Sequence, residues 1–348
     1  MTKKREVVDS LRRISEENSL STSFSLEAIT HIGIDDRTVR IDLDPSATND
    51  QQDLQETIEA EIEDLDGVEH VDLNWNSSPE SDPHEEVFPN IQHIIAVSSG
   101  KGGVGKTTVA VNLAVALANR DNAVGLLDGD VYGPNVPRMI GGDTQPQLDS
   151  DGSLIPPEEH GVNVMSMGYL TGQTPVVWRG PMVHQGLSQL LLEVNWGTLD
   201  YLVVDLPPGT GDAQLTVAQT IPVTGAVVVT TPQGVALDDS LKSIEMFKDQ
   251  NIPIAGIVEN MTSFVCTECE TLHDLFRTDG AQKLAERTDV PVLGRIPFEP
   301  AVPRESDAGA PVVIDEAADR TLATEALLET ADAIERRVRT LAGSKVQT

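Results

Sequence analysis

Three short stretches of this sequence hold residue types that can do chemistry. The first is Gly100-Lys101-Gly102-Gly103-Val104-Gly105-Lys106-Thr107-Thr108, which fits G-x-x-x-x-G-K-S/T. Its glycines let the backbone curl so that successive N–H groups converge on phosphate oxygens. The helix that follows adds its positive end to the same place. Lys106 can reach the β- and γ-phosphates, and the Thr107 hydroxyl can take one position on Mg²⁺. The second group is carboxylates at the ends of apolar runs. Asp128 and Asp130 follow AVGLL in DGDVYGPN, and Asp205 ends YLVVD, with Pro207 to Asp212 behind it. The third is Cys266 and Cys269, a C-x-x-C pair and the only cysteines of the chain.

Each group needs a scaffold. The strand His93–Ser98 leads into the glycine loop and a helical segment, 109–119, leaves it, which is the context this loop requires. An apolar strand ending in Asp beside it is a Walker B element, whose carboxylate holds Mg²⁺; carboxylates at the C-terminal edge of a parallel sheet stand where ligands of such folds bind. As a helix cap or turn residue Asp128 is as well explained, and so is Asp212. Two thiolates can grip a soft metal centre, but zinc and iron–sulfur clusters take four ligands, so one chain supplies half a site. A symmetric dimer completes it. Spacing alone leaves zinc and a cluster equivalent. A thioredoxin-like redox pair fits less well, because the motif follows a strand and is flanked by Glu268 and Glu270, expected to raise the thiolate pKa. His273 is within sequence reach as a further ligand but reads as a surface histidine.

The strands HIIAVS, AVGLLD, YLVVDL, GAVVVTT, PIAGIVENM and PVLGRIP are apolar on both faces and separated by helical segments. They predict an α/β P-loop NTPase fold, a mostly parallel sheet covered by helices on both faces. Residues 91–343 form this domain. Residues 1–75 read as a small α+β domain, with a helical opening (Val7, Leu11, Ile14), strands at Thr38–Leu43 and Val68–Leu73, and a helix over Leu54–Ile62. Residues 76–90, NSSPESDPHEEVFPN, are an acidic, proline-rich linker. The tail from Ala317 to Leu341 is expected to be helical, with fraying from Ser344.

Of 348 residues, 56 are acidic and 24 basic, for a net charge of −32. Such a surface repels nucleic-acid phosphates. Scarce lysine and 3% aromatics, with acids spread along the whole chain, read as adaptation to a saline cytosol and a halophilic source. No run of 18 apolar residues exists and the opening MTKKREVVDSLRR is polar, so neither a membrane span nor a secretory signal is expected. Two cysteines are too few for a disulfide scaffold, which points to a reducing cytoplasm.

From about Ile91 to Pro311 the chain resembles the Mrp/ApbC-type iron–sulfur cluster carrier ATPases. The residues that carry this are GKGGVGKTT, DGDVYGPNVPRM, WRGPMV (Trp178 to Val183), NWGTLDYLVVDLPPGTGD, TTPQGVALDD, GIVENMTSFVC and GRIPFEP. The resemblance implies a homodimer that binds and hydrolyses ATP. It would carry a [4Fe–4S] cluster bridged between two subunits on Cys266 and Cys269 and deliver it to apo iron–sulfur proteins, alongside cluster assembly factors. Lys101 matches the early lysine of the deviant Walker A group, which reaches the partner's phosphates; by the same resemblance Asp130 lies in switch I and orients the attacking water, and Asp205–Asp212 form switch II. Lys101, Lys106 and Asp130 are thus the implied catalytic residues, residues 100–108 with Asn260 the ATP site, and Thr107, Asp130 and Asp205 the Mg²⁺ ligands. Asn260 stands at the position associated with adenine. CTECETLHDLF departs from the family by lacking the usual Pro and His between the cysteines. The N-terminal unit is similar to the small domain often fused to these ATPases and found alone in assembly factors; lacking cysteine, it reads as a docking or regulatory module. The alternative is a partitioning or positioning ATPase of the same P-loop group, and a third reading is a nucleotide-dependent reductase resembling nitrogenase iron protein. The tail ALLETADAIERRVRTLAG mixes Glu329, Asp332 and Glu335 with Arg336, Arg337 and Arg339 and has no bulky aromatic, so it suits packing on the sheet better than a membrane.

Overall fold

The computed structural model describes residues 7, 10–11, 13–14, 29–35, 38–43, 51–63, 65, 68, 70–75, 88, 90–130, 133–142, 144–150, 152–171, 190, 194–209, 211, 214–215, 221–266, 268–269, 271–274, 279–314 and 320–345. Most of the 76–90 linker, the Trp178–Val183 motif, Thr210 and Asp212 lie outside the described residues. The chain divides into two compact units, Met1–Glu86 and Val87–Thr348.

In the first unit β1 (Ile29–Asp35) pairs antiparallel with β2 (Thr38–Leu43), and β2 pairs parallel with β3 (His70–Trp75). Helix α1 (Gln51–Glu63) buries Leu54, Ile58 and Ile62 at helical spacing against Val39, Ile41 and Leu43. Val7, Leu11 and Ile14 join this core. Strand β2 was legible from its alternation. Strand β1 was not, because a register shift between Ile29 and His31 breaks the period of two. The third strand sits two residues further along than Val68–Leu73.

The second unit holds a nine-stranded sheet and a separate two-stranded one. Its elements are β4 (Ile91–Ser98), α2 (Lys106–Ala118), β5 (Val124–Asp128), α3 (Val136–Ile140), the hairpin β6 (Gln147–Leu148) and β7 (Leu154–Ile155), β8 (Glu158–Glu159), β9 (Val162–Ser166), α4 (Met167–Thr171), β10 (Leu199–Asp205), β11 (Gly225–Thr230), α5 (Gly234–Asp249), β12 (Ile254–Val265), β13 (Leu272–His273), α6 (Gly280–Thr288), β14 (Val292–Phe298), α7 (Ala301–Asp307) and α8 (Leu322–Lys345). The parallel core of the larger sheet runs β14-β12-β11-β4-β10-β5-β9, and among the described residues β8 and β13 pair antiparallel at its margins. The predicted parallel sheet is therefore present. Its first strand, β4, lies in the middle, and the chain winds outward from it both ways, so the crevice of such a sheet opens beside the end of β4. Helix α2 is apolar nearly all round and buried accordingly. Helix α8 buries Ala323, Leu327, Ala331, Ile334 and Val338 along one stripe and runs to Lys345, past the expected fraying point. Arg120 at the end of α2 pairs with Glu335 at 2.8 Å and also with Asp332, tying α8 down. No helix among the described residues is long and apolar enough to cross a membrane.

Candidate functional site: the glycine loop and the cysteine hairpin

The glycine loop joins the C-terminal end of β4 to the N-terminus of α2. Gly105 caps that helix at φ +87°, a left-handed conformation that only glycine takes without strain. A Cβ there would stand 2.1 Å from Asn260 Nδ2, and one on Gly100 would stand 2.2 Å from the backbone of Asp239. Around Gly102 and Gly103 the space is open, so the loop is tight at its roots and clear at its crest. Lys101 is exposed there, and Val104 is buried beneath.

Parallel register brings the carboxylates together. Asp205, closing β10, aligns with Val97 of β4 on one side and Asp128 of β5 on the other. Lys106 Nζ lies 2.6 Å from Asp205 Oδ1, with 6% and 1% of the side chains exposed, and the Thr107 hydroxyl donates to Asp205 Oδ2 at 2.7 Å. One buried cation thus faces two buried carboxylates. Burial first, then the Asp205 charge, pushes Asp128 up to about 7, against the opposing pull of Lys106. Asp205 is raised by burial as well, opposed by Lys106 and Thr107.

Asp128 and Asp130 separate into different roles. Asp128 is fully enclosed and accepts from the Asp130 and Val136 N–H groups at 3.1 Å and from the Ser166 hydroxyl at 3.0 Å. It ties the first residue of α3 to the end of β5, while the N-cap position is held by Asn135 without a side-chain cap bond. Asp130 is only half-buried; it accepts from the Gly133 N–H at 3.2 Å and faces Asp205 electrostatically. The loop after Asp205 is stitched to the root of the glycine loop: Gly209 N–H donates to the Ser99 carbonyl at 2.9 Å, and Gln214 donates to the Ser98 hydroxyl. Gln214, buried in this seam, had no signal in the sequence.

Asn260 comes to the loop from 156 residues away. Its Nδ2 donates to the Val104 carbonyl at 2.9 Å, and its Oδ1 accepts from Met261 N–H at 2.9 Å. Here it braces the loop. A mostly apolar cavity of ≈ 70 Å³ opens beside it, between Gly105, Thr108, Met261 and Phe298.

Asn260 lies on the strand that leads into the cysteines. Strand β12 carries Asn260 and ends at Val265, directly before Cys266. Cys266 is half-buried, while Cys269 and His273 are exposed. The ligand atoms of Cys266, Cys269 and His273 lie within 4.8 Å of one another. Cys269 falls to about 6, chiefly through Thr271, whose hydroxyl also donates to the Cys269 carbonyl at 3.3 Å, and then through His273 and Cys266. The flanking glutamates were expected to raise the thiolates; donors aimed at the sulfur prevail over an exposed Glu268, and Glu270 is outside the described residues. His273, read from sequence as a surface histidine, is indeed exposed but stands with both thiols.

A strand, glycine loop and helix at the centre of a parallel sheet, with a Lys–Asp pair at the loop, define a P-loop NTPase. Residues 90–335 match the family described as NUBPL iron-transfer P-loop NTPases, of the ParA group, and the chain belongs to that family. It is 42% identical over 324 residues to the iron-sulfur cluster carrier protein of Helicobacter pylori, covering 90% of this chain and 88% of that one. It is 49% identical to the mouse iron-sulfur cluster transfer protein NUBPL over 67% of this chain and 74% of that protein. Among solved structures it resembles a nucleotide-binding protein of Archaeoglobus fulgidus in complex with ADP, with cobalt present, at a TM-score of 0.58 and 37% identity, covering 65% of this chain and 89% of that one. The cell-division ATPase MinD of Pyrococcus furiosus, 24% identical at a TM-score of 0.53 and covering 70% of this chain and 98% of that one, shares the fold.

Proposed function

We propose that this protein is an ATP-dependent iron–sulfur cluster carrier that holds its cargo on Cys266 and Cys269 and hands it to apoproteins. One observation carries the reading: a single strand, β12, holds the residue that braces the nucleotide loop and leads directly into the first cysteine. Asn260 touches the loop, Met261 after it turns to φ +56° where the pairing with β14 is irregular, and Cys266 follows six residues on from Asn260. Nucleotide occupancy beside Asn260 can bias the thiols through this short connecting segment.

The residues at the loop fit ATP with Mg²⁺. The open crest over Gly102 and Gly103 leaves room for phosphate oxygens, and Lys106 is held beside it by Asp205. Bound phosphate would draw Lys106 from Asp205, and Thr107 with Asp205 would hold Mg²⁺, Asp130 contributing through water. Mg²⁺ supplies charge neutralisation at the β- and γ-phosphates. Asp130, half-buried at the crevice, is suited to orienting the attacking water, and Lys101, exposed at the crest, to reaching a partner's phosphates. Asn260 and the neighbouring apolar cavity suit the adenine edge and face. Two thiols per chain fall short of the four a cluster takes, so we propose a homodimer bridging the cluster across its twofold axis, with hydrolysis coupled to loading or transfer. The setting is a reducing, saline cytoplasm.

The test is anaerobic reconstitution with iron and sulfide, followed by visible spectroscopy and iron and acid-labile sulfide analysis. Cys266→Ala should abolish uptake. Unchanged iron and sulfide content in that variant overturns the proposal.

A further inference from the structure

The hairpin that bears the cysteines returns a third soft ligand to them. Strands β12 and β13 pair antiparallel through Phe264–His273 and Val265–Leu272, and the Cys266 N–H donates to the Thr271 carbonyl at 3.1 Å. This closes a tight loop around both thiols and sets His273 beside them, its ring 6.4 Å from that of Phe264. The two sulfurs and an imidazole nitrogen lie within 4.8 Å of one another. Metal–ligand bonds of about 2.0–2.3 Å place tetrahedral ligands roughly 3.5 Å apart, within reach of small side-chain rotations.

A cluster shared by two chains takes two sulfurs from each, which leaves His273 unused. We propose that a single chain binds one borderline-soft divalent ion, ferrous iron or zinc, through Cys266, Cys269 and His273. The fourth position stays open to a thiolate or sulfide from outside. Three protein ligands with one free position is the arrangement of metal sites that admit an outside ligand, whereas structural sites are closed by four. The exposure of Cys269 and His273 keeps that position accessible. This deepens the carrier reading and rests on its assignment of Cys266 and Cys269 as the metal-holding thiols; it adds a one-ion state that precedes the paired one.

Cobalt(II) titration of the full-length, metal-free, nucleotide-free protein under anaerobic conditions tests it, with molar mass followed by light scattering. The expected result is one Co²⁺ per monomer, with sulfur-to-cobalt charge transfer and the intense visible bands of a four-coordinate ion, displaced by Zn²⁺. His273→Ala should weaken Co²⁺ binding by at least about tenfold, since losing even an outer-shell partner costs 10–100-fold, and should shift the visible bands. His273→Cys should restore tight binding. Half an equivalent of Co²⁺ per chain, bound only in dimers, overturns the inference; so does a His273→Ala titration that superimposes on the parent's. Failure of the carrier reading looks different: the parent then binds Co²⁺ with His273 dependence yet takes up no sulfide-containing cluster.

Discussion

Replacing Lys106 by Met would leave Asp205 and Asp128 buried side by side without the cation they share. In the parent, Lys106 Nζ sits 2.6 Å from Asp205, whose side chain is 1% exposed, and Asp205 aligns with Asp128 across adjacent strands. Removing one partner of a buried pair costs about 3–5 kcal/mol, because the remaining charge is stranded. At about 2–4 °C per kcal/mol for a domain of this order, the melting midpoint should fall by roughly 6–20 °C at pH 7.5. The loss should also depend on pH. Asp128 already titrates near 7, and without Lys106 both carboxyls move further up. An acid whose folded pKa is raised lends stability that is complete below its unfolded value, about 3.9, and is lost as pH climbs through the folded value. The gap between parent and Lys106→Met should therefore narrow from pH 7.5 to 5.5. Scanning calorimetry of the nucleotide-free proteins at both pH values provides the measurement. A midpoint within about 2 °C of the parent at pH 7.5, or an equal drop at both pH values, refutes the argument that this cation neutralises two buried acids.

Three further outcomes follow from the same geometry. Gly105→Ala imposes a left-handed alanine, about 1–2 kcal/mol, and pushes the Asn260 amide off Val104 for about 1 kcal/mol more. Chemical denaturation should show a loss of about 2–3 kcal/mol and isothermal titration a weakened affinity for ADP; a stability equal to the parent's contradicts it. Asn260→Ala deletes two hydrogen bonds worth about 1 kcal/mol each and should cost the loop its shape. ADP affinity should drop by about tenfold, and an unchanged dissociation constant would show that the brace is dispensable. In Asp128→Asn the slope of stability against pH between about 4 and 7 should flatten, because the acid held up by burial and by Asp205 is gone. Urea midpoints across that range decide it, and a slope parallel to the parent's would assign the titration elsewhere.

Sequence alone determined whatever depends on near neighbours in the chain. The glycine loop, Lys106, Thr107 and the helix after them are legible because phosphate cradling needs a particular local backbone, and only glycine supplies the φ of +87° at Gly105. The parallel sheet is legible because strands covered on both faces are apolar throughout. The cysteine pair stood out by spacing, and its need for further ligands by coordination number. Tertiary structure decided what arrives from afar or turns on environment. Asn260 braces Val104 across 156 residues, and no local pattern encodes that contact. Asp128 and Asp130 look alike in DGDVYGPN; burial and three donors make the first an anchor, while the second is left half-open at the crevice. His273 joins the thiols because a short antiparallel pairing folds the chain back on itself, and donors aimed at Cys269 outweigh the charges written beside it. Residue type sets which chemistry is available; the distances and dielectric that select among the options exist only once the chain has folded.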